Sequence, residues 1–270
     1  MGRYILKRLG QTLLVLVILS FIIFLLISFL PGDPVYAMLG GEISQETYMR
    51  WYQELNLDKP LLLRYVLWLL DAVRGQFGTS ASFHMAVTDV LAERVPVTIY
   101  FSLLSFFISI PIGIVFGIIS AVYRGKKIDT IVTLAANIFC CLPQFFLSVL
   151  FLYLFAMKMK LLPSYGFVWP WDNFSQSIKQ TIMPLLCLTL GGVASITRQT
   201  RSSMLEVIRQ DYIVTARAKG VSERAVIWKH ALMNSLIPVI TQIGFVFAGQ
   251  FGGAVVAETV FSIPGLGTYM

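Results

Sequence analysis

Residues 95–123 read VPVTIYFSLLSFFISIPIGIVFGIISAVY, a run of 29 residues without a charged side chain. An α-helix rises about 1.5 Å per residue, so roughly 20 apolar residues cross a hydrocarbon core of about 30 Å. The run is long enough to do so and predicts a membrane-spanning helix. It decides the fold, because the same pattern recurs along the rest of the chain.

Four further stretches outside this run also lack charged residues. The shortest has 18 residues and crosses the hydrocarbon core only narrowly. Of the 270 residues, 57% are hydrophobic and 13% are charged, whereas an ordinary soluble chain has about 25% charged residues. We therefore predict an all-α, polytopic membrane protein with five spans. The four further charge-free stretches are residues 9–32, 130–157, 180–197 and 231–257.

Positive charge is concentrated on one side of the predicted membrane. Thirteen of the 21 Lys and Arg residues lie in or directly beside the segments 1–8, 124–129 and 199–230, so the positive-inside rule makes this side cytoplasmic, with the amino terminus inside. The basic residues behind the net charge of +7 lie in segments that alternate with the spans and do not form one continuous face. We therefore expect membrane lipid and not nucleic acid as their partner. The spans are predicted at 9–30, 96–123, 130–157, 181–198 and 231–257, and the external segments at 31–95, 158–180 and 258–270.

The residues that catalysis would need are scarce. Neither His84 nor His230 belongs to an H-E-x-x-H motif, and the chain has no G-x-S-x-G and no phosphate-binding G-x-x-x-x-G-K-[ST]. Cys140, Cys141 and Cys187 lie inside spans without C-x-x-C spacing. We expect no catalytic residue, no metal ligand and no cofactor site. The spans also hold no acidic residue for a proton relay, so energy for transport would come from another subunit.

Glycine or proline occurs in nearly every predicted span. Gly113 and Gly117 are four residues apart, as are Gly249 and Gly253, and Pro143 lies in the third span. Small residues at this spacing share a helix face and let helices approach closely, which we favour for any single residue. Taken as a set, the same residues would suit kinked helices around a path that opens and closes.

Helices are also predicted in the first external segment. Ser44 would cap a helix over residues 45–55, and Asp58 would cap a second one over residues 60–74. The second span is predicted to open at Pro96, a favourable first-turn position. Aromatic residues would hold the two helices at the membrane surface, and a Trp-Pro-Trp sequence would anchor the second external segment. These aromatic residues are Trp51, Tyr52, Tyr65, Trp68, Trp169 and Trp171.

Residues 198–230 form the longest predicted cytoplasmic segment. A pattern with intervals of three and four residues runs from Met204 to Lys219, which predicts one helix that ends at Gly220, followed by another capped by Ser222. Two interpretations remain open. The segment is either a basic hairpin bound to anionic lipid headgroups or a short helix displayed to a partner. Small residues would let such a partner approach closely: Ala216, Ala218 and Gly220.

A family resemblance appears at this point. Residues 211–222, DYIVTARAKGVS, and residues 230–238, HALMNSLIP, resemble the coupling loop of ABC-importer permeases of the peptide and nickel branch. Against the general importer motif, E-A-A, three residues, G, nine residues, I-x-L-P, the match is partial. Ala216, Gly220 and Leu232 match, whereas Val214 and Thr215 replace Glu and Ala, and His230 and Met233 replace Ile and Pro. Similar signatures lie at residues 31–34, 55–61, 75–80, 162–166, 198–205 and 258–267.

The resemblance implies a type I importer fold and a role in transport. One of two homologous permease subunits in a prokaryotic inner membrane would form the path for di- or oligopeptides by alternating access, with nickel or a nickel chelate as the alternative cargo. Two cytoplasmic ATPase subunits would use ATP and Mg²⁺, a solute-binding protein would deliver the cargo, and this chain would not be an enzyme. The residues implied to contact the ATPase are Asp211, Tyr212, Thr215, Ala216, Arg217, Ala218, Lys219, Gly220, Val221 and Ser222.

The carboxy terminus departs from the family pattern. In the family a sixth span follows the last signature of the permease domain, here residues 95–270, so we expect the sequence to be truncated at Met270. Two other classes of function remain as alternatives. A secondary carrier would transport without ATP, and a purely structural membrane protein would not need residues 215–220.

Overall fold

The computed structural model describes residues 1–41, 43–80, 83 and 85–269, so His84 lies outside the described residues. Within them the regular structure is helical, apart from one isolated bridge between Thr79 and Ala86. The prediction of an all-α protein is confirmed. The chain forms two compact units, Met1–Ala92 and Glu93–Met270.

Eleven helices are present in the described part of the chain. Two of them, α7 and α10, continue directly into π-helical stretches, Leu152–Lys158 and Val226–Ala231. The helices are α1 (Gly2–Ser28), α2 (Pro34–Leu39), α3 (Gln45–Glu54), α4 (Leu61–Val73), α5 (Val87–Val122), α6 (Lys127–Cys141), α7 (Gln144–Phe151), α8 (Phe174–Val207), α9 (Asp211–Ala218), α10 (Glu223–Ala225) and α11 (Leu232–Phe261).

Four helical stretches are long and apolar enough to cross a membrane, and a bent pair makes a fifth. The four are α1, α5, α8 and the continuous stretch Glu223–Phe261. The predicted span over residues 130–157 is not one straight helix, because α6 and α7 are bent by 102° relative to each other. Pro143 explains this break, since its ring excludes the helical conformation from Leu142, which is extended at φ −73° and ψ 127°.

The helix that contains the second predicted span begins before Pro96. Helix α5 starts at Val87, so Pro96 lies inside the helix and not in its first turn, which corrects the prediction. The added residues include Asp89, whose charge in the first turn favours the positive end of the helix dipole. A charged residue limits the apolar run on its amino-terminal side, but the helix itself extends beyond that residue.

In the first unit, the predicted cap of α3 is confirmed. The Ser44 side chain accepts a hydrogen bond from the backbone N–H of Thr47 at 3.2 Å. The predicted capping role of Asp58 is wrong, because α4 begins after Pro60, which occupies the N-cap position. Proline fixes its own φ near the value that a helix entry needs, so this helix starts without a side-chain cap.

Tyr65, one of the aromatic residues predicted at the membrane surface, is buried within this unit. Only 6% of it is exposed. Its hydroxyl donates to the Val17 carbonyl at 3.0 Å and lies 2.8 Å from the Ser20 hydroxyl. The ring packs edge-on against Phe21 and Phe24. A tyrosine with its hydroxyl satisfied in this way fixes α4 against α1.

Asp33 organises the segment that follows α1. Its carboxylate accepts from the backbone N–H of Val35 at 2.8 Å and caps α2, and it accepts from the Tyr48 hydroxyl of α3 at 2.7 Å. This hydrogen bond raises the pKa of Tyr48 to about 12 and lowers the pKa of Asp33. One carboxylate therefore holds α2 and α3 together.

The core of the second unit is formed by α5, α7, α8 and α11. The loop before α8 covers this core with an aromatic group, in which the Trp169 ring lies 4.8 Å from Phe167 and 5.7 Å from Tyr100. Trp171 stacks on Trp169 at 4.5 Å, so the predicted aromatic anchor is confirmed. The buried residues of this core are Val97, Phe101, Leu147, Met183, Cys187, Leu188, Ala254, Ala257, Phe261 and Ile263.

Candidate functional site

Helix α9 is separated from α8 by three residues, Ile208 to Gln210. The prediction of one continuous helix up to Lys219 is therefore wrong. Ile208 and Ile213 both pack into the same apolar cluster, although five residues of a straight helix would turn them about 140° apart. The break resolves this conflict and lets both side chains reach the cluster.

The predicted end of α9 at Gly220 is confirmed. Gly220 has a φ of +78° and donates its N–H to the Arg217 carbonyl at 2.9 Å, while the N–H of Val221 reaches the Ala216 carbonyl at 3.2 Å. These two bonds define a Schellman motif, in which the positive φ favours glycine. The motif directs Val221 back onto the apolar cluster that also receives Ala216.

The two faces of α9 differ in burial. Ile213 is fully buried, whereas Tyr212 is 43% exposed and Val214 is 56% exposed. Exposed side chains also include Arg217 and Lys219. The helix is therefore held on one face and displayed on the other. The cluster that holds it, called here the inner cluster, consists of Ile118, Ala121, Met204, Ile213, Val226 and Ala231.

Polar contacts fix the rest of this segment. Arg217 donates to the Glu223 carboxylate through Nε at 2.7 Å and Nη2 at 3.2 Å. The Asn234 side chain of α11 donates to the Tyr212 hydroxyl at 2.9 Å. Ser222 occupies the predicted N-cap position of α10, but its side chain makes no capping hydrogen bond to the described residues. The remaining predicted contact residues, Asp211, Thr215 and Ala218, are exposed.

An open recess lies beside the end of α9. It has a volume of about 540 Å³ and is lined by Ser222, Arg224, Ala225 and Trp228. Trp228 is 51% exposed. Tryptophan is enriched among the residues that contribute most to protein interfaces, so this exposed indole marks a candidate contact surface.

Asp129 and Arg201 form an ion pair that the sequence did not predict. Asp129 is only 5% exposed, and its carboxylate accepts from Arg201 Nε at 2.8 Å and Nη2 at 3.0 Å. It also accepts from the Ser120 hydroxyl at 2.5 Å and the Gly125 N–H at 3.0 Å. This carboxylate ties α5, α6 and α8 together on the side of the bundle that carries residues 123–126. The one available signal was that Asp129 is the only acid in a basic segment.

Glu258 is a second buried carboxylate that the sequence placed only at a span end. It lies inside the last turn of α11, which continues to Phe261 beyond the predicted end at residue 257, and is 1% exposed. The carboxylate accepts from the Thr98 hydroxyl and from the Gly267 N–H, both at 2.6 Å. A Cβ at Gly265 would overlap this carboxylate. The residues after α11 therefore fold back onto it.

The predicted packing or gating residues fall into distinct environments. A Cβ at Gly113 would lie 2.7 Å from Ile196 Cβ, one at Gly117 would overlap Thr200, and one at Gly253 would lie 2.5 Å from Gln144 Oε1. A Cβ at Gly249 would meet nothing within 4 Å. Pro143, at the break between α6 and α7, is the fifth of these residues.

Gly249 instead lines a second recess of about 250 Å³, called here the amide recess. Its walls come from α7, α8 and α11. The described residues contain no group of three or more His, Cys, Asp or Glu side chains able to hold a metal ion. The lining residues are Gln144, Leu188, Gly191, Gly192, Ser195, Gln242, Phe245, Val246, Gly249 and Gln250.

Comparisons with known proteins agree with this architecture. Residues 113–270 match the family described as binding-protein-dependent transport system inner membrane component, and residues 1–102 match the corresponding amino-terminal family. A putative peptide transport system permease protein of Brucella abortus is 40% identical over 267 residues, which cover 99% of this chain and 85% of the relative. An oligopeptide transport system permease protein of Bacillus subtilis is 34% identical, with the same coverage of 99% and 85%.

A solved structure supports the fold. The inward-facing MetNI methionine ABC transporter has a chain that matches with a TM-score of 0.53 and 22% identity, over 67% of this chain and 78% of the matched chain. This likeness confirms the predicted importer-type transmembrane fold.

Proposed function

Because the chain belongs to the family of binding-protein-dependent transport system inner membrane components, we propose that it is a permease subunit of an ATP-driven importer of di- or oligopeptides. The relatives that cover nearly the whole chain are named as peptide or oligopeptide permeases. The proposed role is to form part of the translocation path, while ATP and Mg²⁺ are used by other subunits.

The proposed assembly follows from family membership and from charge. A second homologous permease subunit completes the path, two ATPase subunits bind on the cytoplasmic side, and a solute-binding protein delivers peptide on the other side. The positive-inside rule assigns the amino terminus and α9 to the cytoplasmic side, because the Lys and Arg residues concentrate there. The chain itself holds no cofactor in this proposal.

The construction of α9 is the observation that carries the proposal. Ile213 is fully buried in the inner cluster, while Asp211, Thr215 and Ala218 are exposed on the opposite face. A subunit that binds the exposed face would therefore move the buried face with it. Since the inner cluster includes residues of α5 and α8, such a movement would shift the spans between two arrangements, as alternating access requires.

The variant Gly220→Val tests this role. A β-branched side chain is strained at a φ of +78°, so the Schellman motif would open and α9 would lose its fixed position. We expect the variant to insert normally but to lose the stimulation of ATP hydrolysis by the loaded binding protein. The measurement is ATP hydrolysis by the complex reconstituted in proteoliposomes, with and without that protein.

The exposed residue Gly244 of α11, which has no atom within 4 Å of its Cβ position, provides the control as Gly244→Ala. This change leaves the backbone conformation intact, and stimulation should remain at the wild-type level. Wild-type stimulation in Gly220→Val would refute the role of α9. Uptake in vesicles without ATP would instead identify a secondary carrier, and calorimetry on the solute-binding protein would separate peptide from nickel chelate.

A further inference from the structure

The amide recess is built from matching stripes on two helices. On α11 the lining residues follow one face, from Gln242 through Val246 and Gly249 to Gln250. On α8 the corresponding face carries Leu188, Gly191, Gly192 and Ser195. Intervals of three and four residues keep each set on one side of its helix. Each side chain that lines the recess is neutral.

Glycine leaves space along both stripes. A Cβ at Gly191 or at Gly249 would meet nothing within 4 Å, and both residues are exposed. Glycines that are needed for helix contact have a neighbour at close range, as Gly117 has in Thr200. The open glycines therefore leave room for another chain to come close to the backbone of α8 and α11.

The glutamines in the recess are oriented by their own partners. Gln144 Nε2 donates to the Gly253 carbonyl at 2.8 Å, and Gln250 Nε2 donates to the Leu188 carbonyl at 3.3 Å. A carbonyl only accepts, so these bonds identify the nitrogen and the oxygen of each amide. Gln144 Oε1 also lies beside Gly253, where an added Cβ would approach it to 2.5 Å. Gln242 Nε2 lies 2.7 Å from the Ser195 hydroxyl. Among the described residues, no donor reaches Oε1 of Gln144 or Gln250.

We propose that the Oε1 atoms of Gln144 and Gln250 accept hydrogen bonds from the main-chain N–H groups of a peptide in transit. This inference rests on the proposed function, because it assigns the peptide contacts within the path. An uncharged carbonyl oxygen suits an N–H donor of any peptide, whatever its side chains. The recess therefore recognises the main chain and does not select by sequence.

The dimensions of the recess fit a short extended peptide. Gln242 and Gln250 are eight residues apart on α11, which corresponds to about 12 Å along the helix axis. An extended chain covers about 3.3–3.6 Å per residue, so this distance equals three to four residues. In an extended chain, successive N–H groups point to opposite sides, and alternate ones would face the stripe.

A combined change of peptide and protein tests the proposal. The probes are trialanine and trialanine that is N-methylated on both peptide nitrogens, which removes both amide N–H donors and leaves the terminal ammonium in each probe. Their uptake is measured in proteoliposomes that contain the whole transporter with its binding protein, whose affinity for each probe is determined by calorimetry and used for correction. In the wild type we expect N-methylation to lower the corrected uptake about 3- to 10-fold, as expected for loss of one or two hydrogen bonds.

The variants Gln144→Leu and Gln250→Leu remove the acceptors. We expect each to lower trialanine uptake and to reduce the penalty of N-methylation, since the bond is already missing. Gln144 is only partly buried, whereas Gln250 is buried, so Gln144→Leu keeps the test valid if the other variant does not fold. The matched control is Gln199→Leu, which removes an amide that binds Ser203 on α8 outside the recess; here the full N-methylation penalty should remain.

The outcomes separate the inference from the function on which it rests. If both glutamine variants lower the uptake of the two probes by equal factors, the glutamines have only a structural role and the inference is overturned. If the wild-type complex hydrolyses ATP in response to its loaded binding protein but takes up no peptide, the proposed cargo is wrong. A reduced N-methylation penalty in the glutamine variants, with the full penalty in Gln199→Leu, supports the inference.

Discussion

Two pairs of glycines with the same spacing differ in their environments, because one member of the second pair faces open space. Gly113 and Gly117 of α5 lie against Ile196 and Thr200 of α8, with no room for a Cβ. In the second pair, on α11, Gly253 lies against Gln144, whereas Gly249 faces the open amide recess. Spacing places two glycines on one face, but the neighbouring helix determines whether they serve contact or space. Adding the same side chain at a closely packed glycine and at an open glycine tests this difference.

Gly117→Val should have the largest effect. Its Cβ would overlap Thr200 and would lie 2.9 Å from the Thr197 carbonyl oxygen, a backbone atom that cannot rotate away. Overpacking of this kind costs about 1–3 kcal/mol, and the rigid neighbour puts the expected value at the upper end. Thermal unfolding of the purified protein in detergent measures the change. Wild-type stability would show that α5 and α8 do not pack as described.

Gly249→Val should leave folding intact and impair transport. The added side chain meets no atom of this chain at its Cβ position but occupies part of the recess of about 250 Å³. We expect wild-type thermal stability together with a severalfold lower rate of peptide uptake in proteoliposomes. The same valine is thus destabilising at residue 117 and obstructive at residue 249. Normal uptake would place the path elsewhere.

Gly244→Ala should have the smallest effect. Gly244 is exposed, lies outside the amide recess and has open space at its Cβ position. Glycine inside a helix is about 0.5–1 kcal/mol less favourable than alanine, so the variant should unfold at the same or a slightly higher temperature. Uptake should be unchanged. A clear loss of stability in the assembled complex would show that a partner subunit packs tightly against this residue.

The sequence predicted the features that depend on neighbours along the chain. Charge-free runs gave the spans, Ser44 gave the start of α3, and Gly220 gave the end of α9, because burial in lipid, capping and positive φ are local requirements. Pro143 was visible as well, but the size of the bend depends on what α6 and α7 pack against. The periodicity of the sequence predicted a helix that continues through residues 208–210. In the structure the helix is interrupted there, and side chains on both sides of the break reach the inner cluster.

Features that depend on distant residues could not be predicted. Asp129 and Arg201 are 72 residues apart, and each alone looked like an ordinary surface charge. The sequence around Tyr65 is typical of an interfacial aromatic residue, whereas the hydroxyl of Tyr65 donates to a backbone carbonyl of α1. The orientation of Gln144 and Gln250 is likewise set by carbonyl groups on other helices. In each case the role of the side chain depends on a contact residue that is distant in the sequence, and no local sequence pattern identifies that residue.

The three-residue link between α8 and α9 limits how α9 moves. Even fully extended, three residues span only about 10 Å, and the other end of α9 is held by the short turn at Gly220. A subunit that pulls on α9 therefore has little slack to take up before α8 itself is drawn along. We therefore expect a displacement of α9 by a bound partner to be transmitted directly to the span α8.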